Sequence, residues 1–408
     1  MIQQQASPDT DSGTASGGVR GLPRNVLVAG LMSLFTDISS EMVVPVLPLF
    51  LTAVLGTPVA AVGLIEGVAE STASLLRVFA GWLSDLSGRR KPAMLVGYAL
   101  GNFTKPLLAV SVSWPQVLAI RFADRFGKGI RGAPRDALIA DSVDASVRGR
   151  AFGFHRSMDT AGAALGPLLA AGTLAVMHGN PRAVFWLASL PGIVSVLIGW
   201  WFLRERQLTK PVAVAPALAF RSLGRPFLVF TGISTLFALG NSSDAFLILR
   251  AQNVGMATAV IPLAYFGFNA VYAVLATPAG ILSDRWGRRR LLVGGYVVFA
   301  LVYLGFAVVP NAVGVAALFL AYGAFYALTE GVARALIADQ VPAALRGTAM
   351  GSYSTMTGIA LLPASVIAGL LWESVGPWAP FAYGAGLALL AACLLALVPA
   401  RVAGADPA

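Results

Sequence analysis

Charge is what this sequence lacks most. Of its 408 residues only 12% are Asp, Glu, Lys or Arg, where a soluble globular chain carries about 25%. That excludes an ordinary soluble enzyme and a disordered protein alike. Cysteine is nearly absent: Cys393 stands alone in the last apolar run. An intramolecular disulfide and a four-cysteine zinc site are therefore both excluded. The two histidines, His155 and His178, do not make a histidine-rich metal site. No G-x-x-x-x-G-K-[ST] loop is present, so nothing points to a nucleotide-driven pump. No Ser-His-Asp arrangement is supported, and neither enzymatic catalysis, a cofactor nor a bound metal is expected.

Apolar residues are what the chain has instead. They make up 57% of it, and the mean hydropathy is +0.75. A helix that crosses a bilayer needs about 20 apolar residues. Twelve such runs lie near 26–54, 60–84, 92–112, 115–139, 149–177, 183–203, 226–250, 256–283, 291–309, 313–337, 348–371 and 378–399. The 44 glycines and 24 prolines are awkward in soluble helices and tolerated in membrane ones. The expected fold is all-α and integral to the membrane. It has a disordered tail over 1–24, a six-helix bundle over 25–203, a linker over 204–225, a second six-helix bundle over 226–400 and a short tail over 401–408.

The net charge of +10 has a position as well as a size. Arg89, Arg90 and Lys91 lie between spans 2 and 3, and Arg148 and Arg150 between 4 and 5. Arg204, Arg206, Lys210, Arg221 and Arg225 lie between 6 and 7, Arg285 and Arg288 to Arg290 between 8 and 9, and Arg346 between 10 and 11. Arg182 and Arg250 alone fall on the other side. Basic loops stay cytoplasmic, so both termini are expected in the cytoplasm and the chain in the inner membrane. The basicity is a topology signal rather than a nucleic-acid footprint.

The chain repeats itself. GWLSDLSGRRK at Gly81–Lys91 returns as GILSDRWGRRR at Gly280–Arg290, and ALIAD at Ala137–Asp141 returns at Ala335–Asp339. Ser39-Ser40-Glu41 can be laid on Ser242-Ser243-Asp244. Matching helices at matching places imply a duplicated fold with a pseudo-twofold along the membrane normal. Glycine at 81 and 280 allows close helix approach, and at 88 and 287 it can end a helix in a tight turn.

With these motifs in hand, the sequence resembles the major facilitator superfamily. Gly81, Leu83, Asp85, Gly88, Arg89, Arg90 and Lys91 match that family's loop 2–3 signature. Gly280, Leu282, Asp284, Gly287 and Arg288 to Arg290 match its second copy. Arg125, Phe126 and Gly129 fit its fourth-span pattern. Gly162, Gly166 and Pro167 fit part of its fifth-span antiporter pattern, whose final glycine pair falls on Ala170 and Ala171. The resemblance implies a secondary transporter that works as a monomer by alternating access. It implies gating roles for Gly81, Asp85, Gly88, Arg89, Gly280, Asp284, Gly287 and Arg288, with Asp85 pairing with Arg131 or Arg135. It also implies a cavity lined by spans 1, 4, 7 and 10.

Ionisable residues inside a span are functional candidates, because lipid does not host them cheaply. Span four carries Arg121, Arg125, Lys128, Arg131 and Arg135. At 100° per residue they share an arc of about 120°, which must line a cavity or meet acids. Nearby acids are Asp37 and Glu41, Glu66 and Glu70, Asp124 and Asp136, with Lys105 in span three and the i,i+4 pair His155 and Asp159 opening span five. His155 is expected at the surface or as a cap. The second half offers Asn241, Asp244, Tyr322, Tyr326, Glu330 and Arg334. Arg125 is expected to be held by Glu70, Asp37 or Glu41, and the bland reading of each pair is a helix–helix lock. The functional reading is transport of a small, anionic organic solute coupled to protons, with Glu41 and then Asp37 as proton groups. The alternatives are proton-coupled efflux of drugs or cations, lipid flipping, and a non-transporting sensor or scaffold.

Overall fold

The structure, a computed structural model, describes residues 21–87, 90–144, 147–205, 223–342 and 345–398, and for 77–87 it describes the helical path without the side chains. Gly88, Arg89, most of the 204–225 linker, most of the 1–24 tail and all of the 401–408 tail lie outside the described residues, as does the side chain of Asp85.

Among the described residues twelve helical spans form, one on each predicted run. They are α1 (Arg24–Val54), α2 (Val59–Ser87), α3 (Lys91–Val110), α4 (Trp114–Asp141), α5 (Arg148–Val176), α6 (Pro181–Phe202), α7 (Gly224–Asn253), α8 (Ile261–Trp286), α9 (Arg288–Val308), α10 (Ala312–Gln340), α11 (Arg346–Ser374) and α12 (Ala379–Leu397). Eleven are apolar and long enough to cross a membrane, with few charges. The other is α4, whose cationic arc spoils its hydropathy; it is sheltered between α2 and α3. Proline sits in the first turn of α3, α4, α6, α8 and α12, where its missing N–H costs nothing. Asn180 and Asn311 cap α6 and α10 by accepting from Arg182 N and Gly314 N at 3.0 and 2.8 Å.

Two spans are broken midway. Span α1 loses its helix at Val44–Val46, around Pro45, and resumes at Leu47. Span α7 stops at Gly240, runs irregularly through Asn241, Ser242 and Ser243, and resumes at Ala245. Ser39-Ser40-Glu41 thus lies in helix, whereas its repeat partner Ser242-Ser243-Asp244 forms the break.

Packing obeys the repeat. In the first half α1 packs on α5 and α6, α2 on α4, and α3 on α4 and α6. In the second half the corresponding pairs are α7 with α11 and α12, α8 with α10, and α9 with α10 and α12. The halves meet through α2 with α11 and α5 with α8, a reciprocal pair that the pseudo-twofold exchanges. The chain is thus an all-α bundle of twelve helices in two pseudo-symmetric sets of six.

The repeated motifs meet in space. Arg90 pairs with Asp141 at 3.6 Å in the first half, and Arg288 with Asp339 at 2.5 Å in the second. Arg288 also reaches Asp284 at 3.5 Å. Loop cations further satisfy helix ends. Lys91 Nζ donates to Leu203 O at the end of α6, and Arg289 donates to Leu395 O and Ala396 O at the end of α12. Arg182 and Arg250, the two cations on the opposite side, do the same for the ends of α3 and α9.

The opposite end of the bundle is closed. Thr52 in α1 donates to Gln252 in α7 at 3.3 Å, and Ala60 N in α2 donates to Glu373 in α11 at 3.1 Å. Glycines let α2 and α11 touch along their length: Gly63 lies against Ser365, Gly67 against Leu362, and Gly369 against Ala60. At the end that carries the termini, a cavity of about 1140 Å³ opens beside α10 and α11.

Candidate functional site: a charged chamber between the halves

Below that cavity lies a chamber of about 290 Å³ at the level of the two helix breaks. Spans α1, α2 and α4 wall it from one half, and α7, α8, α10 and α11 from the other. The cavity and the chamber share Asn241, Tyr326 and Leu361, so the first is a vestibule to the second.

The first-half wall is an ion-pair network. Arg121 binds both oxygens of Glu66 at 2.9 and 2.8 Å and reaches Asp124 at 3.3 Å. Asp124 also takes Lys105 at 3.0 Å, and the Lys105 ammonium donates to Gly101 O as well. Arg125 pairs with Glu70 at 3.2 Å and with Asp124 at 3.7 Å. Taking each ion out of water costs several kcal/mol, which geometry of this kind offsets only when the remaining lone pairs are bonded. Glu66 and Arg121 are 7% and 5% exposed, so their bidentate contact is the buried lock of the wall.

Arg125 is therefore held by Glu70, as the sequence suggested, and also by Asp124, while Asp37 and Glu41 do not pair with it. Lys128 differs from its neighbours. It is exposed to the chamber and has no ion-pair partner among the described residues. Glu41 faces the same space, also without a cation in contact among the described residues. Asp37 lines an adjoining 30 Å³ void with Lys105, Asp124 and Arg131, a void that shares Glu41, Arg121, Arg125 and Lys128 with the chamber.

The fifth-span motif positions these acids. Gly162 packs against the Asp37 Cβ, and Gly166 packs against Glu41 and the Ile38 carbonyl. A side chain at either glycine would push α1 away from α5. Nearer the termini, His155 is buried, not at the surface as expected. Its ring nitrogens meet Ser33 Oγ at 2.8 Å and Asp159 at 3.5 Å. Arg131 lies over the Tyr98 ring at 4.6 Å, and Arg135 bonds Asp136 at 2.9 Å and Ser33 at 3.3 Å. The expected contact of Asp85 with these arginines lies outside the described residues.

In the second half the wall is aromatic. Tyr326 lines both spaces. Tyr322 stands behind it, 1% exposed, and donates to Asp244 at 3.0 Å. Asn241 and Asp244 come from the α7 break and face the chamber. Glu330 lies in the vestibule, bound by Tyr272 at 2.8 Å and by Arg334 at 2.6 Å. The site that sequence reasoning assembled is thus split. Glu41, Glu70, Arg125, Lys128, Asn241, Asp244 and Tyr326 meet at the chamber, whereas Asp37, Asp159, Tyr322 and Glu330 lie around it. Glu66 and Arg121, which the sequence named among the ionisable candidates of α2 and α4, line it too, as does Ser365, which it did not name. The i,i+4 spacing of Glu66 and Glu70, one turn apart opposite Arg121 and Arg125, was the signal for the first two.

The Major Facilitator Superfamily model matches residues 29–250 and again 228–407. An uncharacterised MFS-type transporter of Methanocaldococcus jannaschii is 36% identical over 93% of this chain and 96% of its own length. The class G tetracycline resistance protein of Vibrio anguillarum is 28% identical over 86% of this chain and 92% of its own. Among solved structures, a POT family transporter in complex with 5-aminolevulinic acid superposes with a TM-score of 0.80 at 12% identity, covering 95% of this chain and 98% of that one.

Proposed function

Since the chain belongs to the major facilitator superfamily, and is thus a multi-pass membrane protein that moves small organic solutes by secondary transport, we propose that its solute is anionic and that protons drive it. The observation that carries this reading is Lys128. Arg121 and Arg125 are neutralised by Glu66, Glu70 and Asp124, so Lys128 is the chamber cation left to meet a ligand.

Glu41 is the proton carrier in this reading. It opens onto the chamber without a contacting cation among the described residues, so it can take a proton from one side and release it to the other. Asp37 is the second candidate, one turn away on α1. The basic loops put the termini and the open vestibule on the cytoplasmic side of the inner membrane, and one chain is the working unit. The test is flux in proteoliposomes under an imposed pH gradient. Glu41→Gln is expected to abolish gradient-driven accumulation while solute exchange survives. Lys128→Gln is expected to weaken binding of a carboxylate by about tenfold or more and to leave its neutral amide unaffected. Equal loss for both ligands would refute the anion assignment.

A second reading, efflux of cationic compounds, draws on Glu41 and Asp244, two acids on the chamber without a contacting cation among the described residues. The same assay separates the two readings. Tetraphenylphosphonium binding that falls in Glu41→Gln and holds in Lys128→Gln supports the second.

A further inference from the structure

The chamber and the vestibule differ in a way that bears on the solute's shape. Sites for drug-sized ligands occupy about 300–1,000 Å³. The chamber, at about 290 Å³, falls just short of that and is walled by charge. The vestibule, at about 1140 Å³, exceeds it. Phe237, Tyr296, Phe325 and Tyr353 contribute to its wall, the first three with only a small part of each ring exposed, and the rings are braced by stacking, Phe237 on Tyr296 at 4.2 Å and Phe230 on Tyr353 at 5.9 Å. Rings fixed by neighbouring rings form a wall that does not collapse into the space it bounds. Ser74 of α2 and Thr357 of α11, one turn from Tyr353 on the same helix, add small side chains to that wall. The result is a slot with aromatic rings along its wall, continuous with the chamber at Tyr326.

We propose that the vestibule is a second subsite that takes the aromatic body of the solute while its anionic group enters the chamber, so that the substrate class is bulky aromatic carboxylates rather than small aliphatic ones. This rests on the anion reading for the head group only; the aromatic subsite stands on the vestibule itself. Glu330 and Arg334 also line the slot, bound to each other at 2.6 Å. Their mutual neutralisation leaves the slot without a net charge from that pair, which suits a ring system rather than a second ionic group.

The experiment is calorimetric binding to the full chain in detergent, with 2-naphthoate, 2-naphthamide and acetate as probes, acetate being read by displacement of 2-naphthoate. Wild-type protein is expected to bind 2-naphthoate at least about tenfold tighter than acetate, because the rings bury apolar surface. Thr357→Trp fills the slot without removing an aromatic wall. It should erase the advantage of 2-naphthoate over acetate. Tyr353→Ala, which takes away a half-buried ring of the wall, should reduce it as well, and melting curves of both variants establish that they are folded. The proposal is overturned if 2-naphthoate binds no tighter than acetate, or if folded Thr357→Trp keeps the full advantage. Lys128→Gln separates the two claims. If the ring advantage persists there while the preference for naphthoate over naphthamide is unchanged from wild type, the vestibule subsite is supported and the role given to Lys128 is not.

Discussion

At the scale of single residues, the cations of α4 divide into those held by partners and Lys128, which has no ion-pair partner among the described residues. Glu66 and Arg121 form a buried bidentate pair. Removing one partner of such a pair strands the other charge and costs about 3–5 kcal/mol. Glu66→Gln is therefore expected to lower the thermal midpoint in detergent by many degrees, while Lys128→Gln, which breaks no ion pair among the described residues, leaves the midpoint nearly unchanged. Equal midpoints for the two variants would contradict this division. Much of it was legible: the arc of five cations and the i,i+4 acids of α2 required pairing. The choice of partner was not, because it depends on how far α2 slides along α4. One turn of slide decides whether Arg125 meets Glu70 or Glu66, and Glu41 comes from a different helix, α1. His155 was misplaced for a related reason. Its position near a helix start suggested solvent, but Ser33 of α1 covers it. Tyr322 shares a helix face with Tyr326 and still stands behind it, because Asp244 of the α7 break draws its hydroxyl.

At the scale of elements, the seam between α2 and α11 decides which end of the molecule is closed. It is built from glycines, so it is sensitive to bulk. A Cβ at Gly369 would sit 2.7 Å from the Ala60 Cα and 2.9 Å from the Val59 carbonyl oxygen, both backbone atoms that cannot swing aside. Overpacking of this kind costs about 1–3 kcal/mol, and here it can be relieved by parting the halves. Gly369→Val should lengthen the distance between spin labels at positions 58 and 257, on the closed end, in a variant lacking Cys393. No change in that distance, with the protein folded, would show that the seam does not set the closed state. The twelve spans were readable from apolar run length, and even α4 was found despite its charge, because its cations share one face. The break in α1 had a marker in Pro45. The break in α7 had only Asn241-Ser242-Ser243-Asp244, residues that favour caps and turns. Their alignment with a helical segment of α1 hid it, since a sequence repeat carries residue identity and not backbone conformation.

At the scale of the whole molecule, duplication gives two halves with one packing plan and two interiors. The first half holds ion pairs; the second holds stacked rings around Phe237, Phe299 and Tyr303. The asymmetry lies at the seam where the chamber forms, and the pseudo-twofold makes the seam able to open at either end. The central claim is that the halves rock about the chamber, so that one end closes as the other opens. It is tested most directly by pulsed spin-label distances in a variant lacking Cys393, with one pair at positions 149 and 347 on the termini end and another at 58 and 257 on the opposite end. Both are recorded in lipid nanodiscs at pH 5 and pH 8, with and without 2-naphthoate. The account predicts opposite changes: whenever the 149–347 distance shortens, the 58–257 distance lengthens. Distances that stay fixed under all four conditions, or that lengthen together, would contradict it.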